Sequence, residues 1–332
     1  MSNALIIGGG APKSALMSGA LYALNEKGVE FKVISASGSG ALVAMLFIAP
    51  KSGNPSEALN KICDFGIDDT IYSLFPVNYK VFHKPGFHAD MFRKYYRLIN
   101  SFIPFSDSES AFPGQRMYND WINLLQSIFC PTELNFFSQG LCANAPFVED
   151  IIDFNKINNS DTILYINAYN ITDSRMENFS NNEITPAHLY ASLSFPFIYP
   201  PYELNGKYYY EGASLHALNY RGLKNHSDID TIVVFDVLGT KNLIRKPRNI
   251  YDAWVKSLIV PLVEIAKKDT KIFELKHNND NRRNILKIHF DIPEEQWPLV
   301  LDWSYSNQKK LFEIGYDSGI NFYKQNYTLL NP

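Results

Sequence analysis

Short apolar runs and helically spaced apolar residues alternate over the first fifty positions of the chain. Ala4-Leu5-Ile6-Ile7 and Phe31-Lys32-Val33-Ile34 read as buried strands. Between them Leu16, Ala20, Ala23 and Leu24 recur at helical spacing over 14–27, and Gly28 stops the run. Two apolar strands separated by a helix predict parallel neighbours in a covered sheet. A second helix is expected over 38–49, ending at Pro50; it is apolar on nearly every side and belongs inside the fold. The pattern weakens over 51–147, where Ser-, Pro- and aromatic-rich loops such as Ser101-Phe102-Ile103-Pro104-Phe105-Ser106 surround helical pieces at 90–98 and 118–129. Such an irregular insertion suits a mostly helical cap or lid better than an independent domain, so 1–332 is expected to be one domain carrying it.

Regularity returns with a strand over 162–168, a helix over 186–194, and a hairpin whose turn is Asn205-Gly206. Further strands are expected over 231–236 and 285–290, and helices over 251–268 and 304–325. The expected class is α/β: a central, mostly parallel sheet covered by helices on both faces.

Composition narrows the function. Of 332 residues 46% are hydrophobic and 20% charged, which predicts a packed core. A net charge of -3 gives no support for nucleic acid as a partner. Cys63, Cys130 and Cys142 lack metal-ligand spacing and their odd number argues against a disulfide framework. Neither a leader-like start nor an apolar stretch of the roughly 18 residues that a spanning helix needs is present. The expected location is the cytoplasm, with at most peripheral contact with a membrane. Aromatic residues reach 14%, a surplus that fits a site or surface for apolar ligands.

Two small-residue turns carry the candidate chemistry. Gly8-Gly9-Gly10-Ala11-Pro12-Lys13 follows the first strand and Ser35-Ala36-Ser37-Gly38-Ser39-Gly40 ends the second. A strand opening into a helix leaves N–H groups converging on one spot, which favours an oxyanion or a phosphate. The first turn is not a dinucleotide fingerprint, because Lys13 stands where the last glycine would be, and it lacks the Lys-Ser/Thr of a P-loop. The second resembles the nucleophile elbow G-x-S-x-G with serine at both glycine positions. Ser37 or Ser39 could attack; Ser37 is favoured because Gly38 would supply the following N–H. None of the seven histidines pairs with an acid in an evident way, so the base is sought elsewhere. Glu211, directly after Tyr208-Tyr209-Tyr210 and before Gly212-Ala213, is the candidate.

These residues together resemble the patatin-like phospholipases, which use a Ser–Asp dyad without histidine. The family's glycine-rich oxyanion turn, basic residue and G-V-L-x-A-L helix look like Gly8–Lys13 and Gly19-Ala20-Leu21-Tyr22-Ala23-Leu24. Its elbow with A-L-V-A following resembles Ser35–Ser39 and Ala41-Leu42-Val43-Ala44. Its A-S-x-A-x-P-x-x-x-P-P segment is similar to the stretch from Ala191 to Pro201, and its G-x-x-Y-x-D-G-G block to the stretch from Gly206 to Ala213. Leu311-Phe312-Glu313-Ile314-Gly315-Tyr316 is like its closing helix. The resemblance implies a serine acyl hydrolase acting on lipid esters. Ser37 would be the nucleophile and Glu211 the base; Gly8, Gly9, Gly10 and Gly38 would hold the oxyanion, with Lys13 stabilising that turn or an anionic head group. Phe102, Ile103, Phe105 and Trp121 of the cap would shape an acyl pocket or touch a membrane. No metal or organic cofactor is implied. A catalytically degenerate protein binding acyl chains or a partner, and an acyltransferase, use the same residues. The departures lie at the chemistry: serines in the elbow, an extra residue after the nucleophile, Pro12 inserted, Ser14 for glycine, and Glu211 for the dyad aspartate.

Overall fold

A computed structural model describes residues 2–10, 13–100, 114–144, 148–237, 246, 247, 249–278, 280, 282–290, 292 and 302–330. The chain opens with β1 (Asn3–Ile7), α1 (Ser14–Glu26), β2 (Val33–Ser37) and α2 (Ser39–Ile48), the β-α-β-α unit expected from its periodicity. Five shorter or amphipathic helices follow: α3 (Pro55–Lys61), α4 (Asp69–Leu74), α5 (Phe87–Asn100), α6 (Gln115–Phe129) and α7 (Val148–Ile151). Then come α8 (Phe154–Asn158), β3 (Ile163–Asn170), β4 (Arg175–Ser180), α9 (Pro186–Leu193), β5 (Tyr202–Leu204) and β6 (Lys207–Glu211). The chain finishes with β7 (Thr231–Phe235), α10 (Ile250–His277), β8 (Asn284–Lys287), α11 (Tyr305–Gln325) and α12 (Tyr327–Leu330).

All eight strands form one sheet in the order β5-β6-β3-β2-β1-β7-β8, with β4 added beside β3. β3, β2, β1, β7 and β8 run parallel, whereas β4 and β6 oppose β3 and β5 opposes β6. The central strands β1, β2 and β7 are buried at every residue, as strands covered on both faces must be. α2 is buried from Ser39 to Leu46, matching its all-round apolar sequence. α1 and α11 meet backbone to backbone: a Cβ on Gly19 would strike the Phe312 carbonyl, and one on Gly315 the Leu16 carbonyl. Only glycine permits that approach.

One expected boundary moved and one strand was added. α10 continues past 268 because Phe273 inserts into the core, and the helix tolerates Pro261 in its interior. β4 was not anticipated: Arg-Met-Glu-Asn-Phe-Ser is too polar to show strand alternation and is held by its pairing with β3. Within 51–147, Ala58, Leu59, Ile62 and Cys63 join the main core, while Ile67, Ile71, Tyr79 and Leu124 form a small cluster of their own. Phe102, Ile103 and Phe105 lie outside the described residues. Among the described residues no helix is long and apolar enough to cross a membrane.

Candidate active site

The sheet brings two strand ends together. β4 pairs with Tyr165–Asn170 along one edge of β3, so β2 and β6 must share the other edge. β2 takes Ile163 to Asn167 and β6, running the opposite way, takes Ala168 to Asn170. The last residue of β2, Ser37, is therefore level with Asn167, and the last residue of β6, Glu211, with Ala168. Adjacent residues of a strand point to opposite faces. Ser37 thus shares the face of Asn167, and Glu211 the other one.

Hydrogen bonds agree with that parity. The Ser37 hydroxyl donates to the His216 carbonyl at 3.1 Å, and Asn167 Nδ2 donates to the same oxygen at 3.4 Å. Ser37 is fully buried there. The residue that does face Glu211 is the next one, Gly38. It forms the sharp turn between β2 and α2 with φ +52° and ψ -130°, a conformation that side chains other than hydrogen rarely adopt. A Cβ built on Gly38 would overlap the Glu211 carboxyl. The strained strand-to-helix position that an elbow reserves for its nucleophile is occupied by glycine. Ser39 comes one residue later as the first of α2, and its hydroxyl accepts the Gly10 N–H at 3.1 Å.

Glu211 extends into the space that a side chain at 38 would fill. Its Oε1 also lies 3.5 Å from where a Cβ of Gly9 would be, so the carboxyl is held between two glycines. Its backbone N–H donates to Ser194 O at 2.9 Å, which anchors the strand end. The residue is 8% exposed. Burial pushes the carboxyl up to about 8, so near neutrality the protonated acid dominates. A neutral acid is a hydrogen-bond donor and a poor general base.

The glycine turn is likewise engaged internally. Gly8 N–H donates to Phe235 O at 3.2 Å, Gly9 N–H to Ala217 O at 3.4 Å, and Gly10 N–H to Ser39 Oγ. Ala11 and Pro12 lie outside the described residues. Lys13 closes the turn through its N–H to Gly10 O at 2.8 Å, and its Nζ donates to Val237 O at 3.3 Å. Its burial lowers the ammonium to about 7, with Asp236 opposing the shift.

One arrangement escaped the reading of the sequence. His216 Nδ1 meets Asp269 Oδ1 at 2.8 Å, and Asp269 Oδ2 accepts the Leu218 N–H at 3.1 Å. Fifty-three residues separate the pair, so no local pattern signals it. It pins the segment whose carbonyls receive Ser37 and Gly9. The Gly38 substitution, by contrast, had a visible signal. Setting the last glycine of G-x-S-x-G on Gly40, just before Ala41-Leu42-Val43-Ala44, puts Gly38 at the serine. Two clefts, of about 600 and 540 Å³, lie beside β8 with α11 and beside β4 with β6; neither is lined by a candidate site residue.

No curated protein sequence matches the chain. Among solved structures, VipD from Legionella pneumophila aligns with a TM-score of 0.44 and 13% identity over 98% of this chain and 67% of that one. The family model described as patatin-like phospholipase matches residues 5–223, from β1 through the turn after β6. With well over half of its length matched, the chain belongs to the patatin-like phospholipases, a family of lipid acyl hydrolases.

Proposed function

We propose that this chain is a patatin-fold protein that binds an acyl lipid without cleaving it. The observation that carries the reading is Gly38, which stands at the turn facing Glu211 and has no hydroxyl to attack with. Three features support it further. Ser37 points to the other face of the sheet and is bonded to a backbone carbonyl. The Glu211 carboxyl is buried, with its protonated form favoured, so it is poorly placed to take a proton. The N–H groups of Gly8, Gly9 and Gly10 are spent on Phe235, Ala217 and Ser39 rather than left for an oxyanion. The lipid ligand is argued from the family match.

The family match also favours a second reading, ester hydrolysis or acyl transfer by Ser37 with Glu211 as base. It requires the end of β2 to turn over so that Ser37 replaces Gly38 beside the carboxyl. Hydrolysis of p-nitrophenyl butyrate and of phosphatidylcholine separates the two, with saturable binding of a fluorescent fatty acid measured alongside. Binding without ester release above the blank is expected. Release that disappears in Ser37→Ala overturns the reading.

A further inference from the structure

Four carboxyl groups are buried among the described residues, and three of them are partnered. Asp120 accepts the Asp68 N–H at 2.7 Å and meets Lys80 Nζ at 2.7 Å. Asp236 meets Lys287 Nζ at 3.5 Å, and Asp269 holds His216 and the Leu218 N–H. Glu211 is the fourth. No hydrogen bond or ion pair reaches its side chain among the described residues, and burial alone shifts its titration. Buried polar groups in folded proteins find partners, so an acid left without one at the end of a strand points to a ligand. Its oxygens are not sealed in, since each keeps a little surface open to the outside.

The carboxyl faces the start of a helix. Its Oε1 occupies the space in front of Gly38, the residue that opens α2. No side chain caps this 10-residue helix, and the N–H groups of Gly38 and Ser39 donate to nothing among the described residues. Such N–H groups form the positive end of the helix dipole and favour an anion. Gly9, Gly38 and Ala213, all small, meet at this point. Two exposed apolar side chains, Phe197 and Leu215, stand on the segments that the Glu211 N–H to Ser194 O bond ties together. Phe197 is held at φ +74°, a backbone position that bulky residues rarely take.

We propose that the ligand of this site is a free fatty acid, its carboxylate received by the Glu211 carboxyl and the N–H groups of Gly38 and Ser39, and its chain leaving past Phe197 and Leu215. The inference rests on the acyl-lipid reading above and narrows it to one head group. A carboxylate can lie against a carboxyl only while one of the two keeps its proton. Burial leaves that proton on Glu211, which is pushed up to about 8. Glu211 then donates its O–H to the ligand, and a bond to an ionised acceptor is stronger than one between neutral groups. An ester head brings no charge to the helix start. The crowded space at Gly38 also suits a planar head better than a tetrahedral phosphate.

The test is displacement of a fluorescent fatty acid from the full chain by laurate, methyl laurate and dodecyl phosphate near neutral pH. It uses the wild type, Glu211→Gln and Glu211→Met, with thermal melting of each protein alongside. Laurate should displace the probe at least about tenfold better than either of the other two. Glu211→Gln keeps a donor and an acceptor at the head and should bind laurate within about threefold of the wild type. Glu211→Met, similar in size but without a donor, should bind at least about tenfold more weakly and melt no lower. Methyl laurate or dodecyl phosphate that equals laurate overturns the inference, as does Glu211→Met that binds like the wild type. In each of those cases the acyl-lipid reading stands. A fluorescent fatty acid that fails to bind the wild type overturns both.

Discussion

The contact between Gly38 and Glu211 can be read as a coupling energy. Gly38→Ser puts a side chain at φ +52°, ψ -130°, a strain of about 1–3 kcal/mol, and forces its Cβ against the Glu211 carboxyl. Overpacking of that kind costs about 1–3 kcal/mol more. The single variant should therefore lose roughly 2–6 kcal/mol, a large part of a typical domain's stability. Glu211→Asp withdraws the carboxyl by one methylene and should lose about 1 kcal/mol of buried apolar contact. In the double variant the shorter acid vacates the space that Ser needs, so the overlap vanishes and only the strain and the lost methylene remain. Urea denaturation of the four proteins should return a favourable coupling of about 1–3 kcal/mol. Additivity within about 0.5 kcal/mol would mean that the carboxyl does not fill the space in front of Gly38.

Three further outcomes follow from the buried groups. Glu211 titrates near 8 when folded against 4.5 unfolded, so its contribution is intact below about pH 4.5 and is lost as pH rises through about 8. Glu211→Gln should gain on the wild type by a few kcal/mol across that window in pH-dependent denaturation; a gap that does not vary with pH would contradict the burial argument. Lys13 has the opposite sense, near 7 folded against 10.5 unfolded, so its contribution is intact above about pH 10.5 and is lost as pH falls through about 7. Lys13→Met should gain relative to wild type as pH is lowered through that range, and a constant difference would be evidence against it. Ser39→Ala removes the acceptor of the Gly10 N–H and should lower stability by about 1 kcal/mol in urea, whereas no loss would show that this N–H has another partner.

The architecture was legible because its signals are local. Apolar runs around helical spacing fixed β1, α1, β2 and α2, and Asn205-Gly206, both at positive φ, made the hairpin turn expected of that dipeptide. β4 was not legible, since a polar edge strand declares itself only through its partner. The nearness of the elbow and residue 211 followed from the family blocks, but their relative facing did not. Strand parity decides it, and parity depends on where β2 ends against β3, a one-residue matter that reverses every side chain. Reading the elbow from its serines gave Ser37; anchoring it on Gly40 gives Gly38. His216–Asp269 was beyond reach because its halves come from the turn after β6 and from α10.

The most direct measurement is intact-mass and peptide analysis of the wild-type protein after exposure to a fluorophosphonate, which captures an activated serine covalently. With glycine at the turn and the Ser37 hydroxyl donated to a carbonyl, the protein should keep its unmodified mass. An adduct mapped to Ser37 would show a working nucleophile where none is expected.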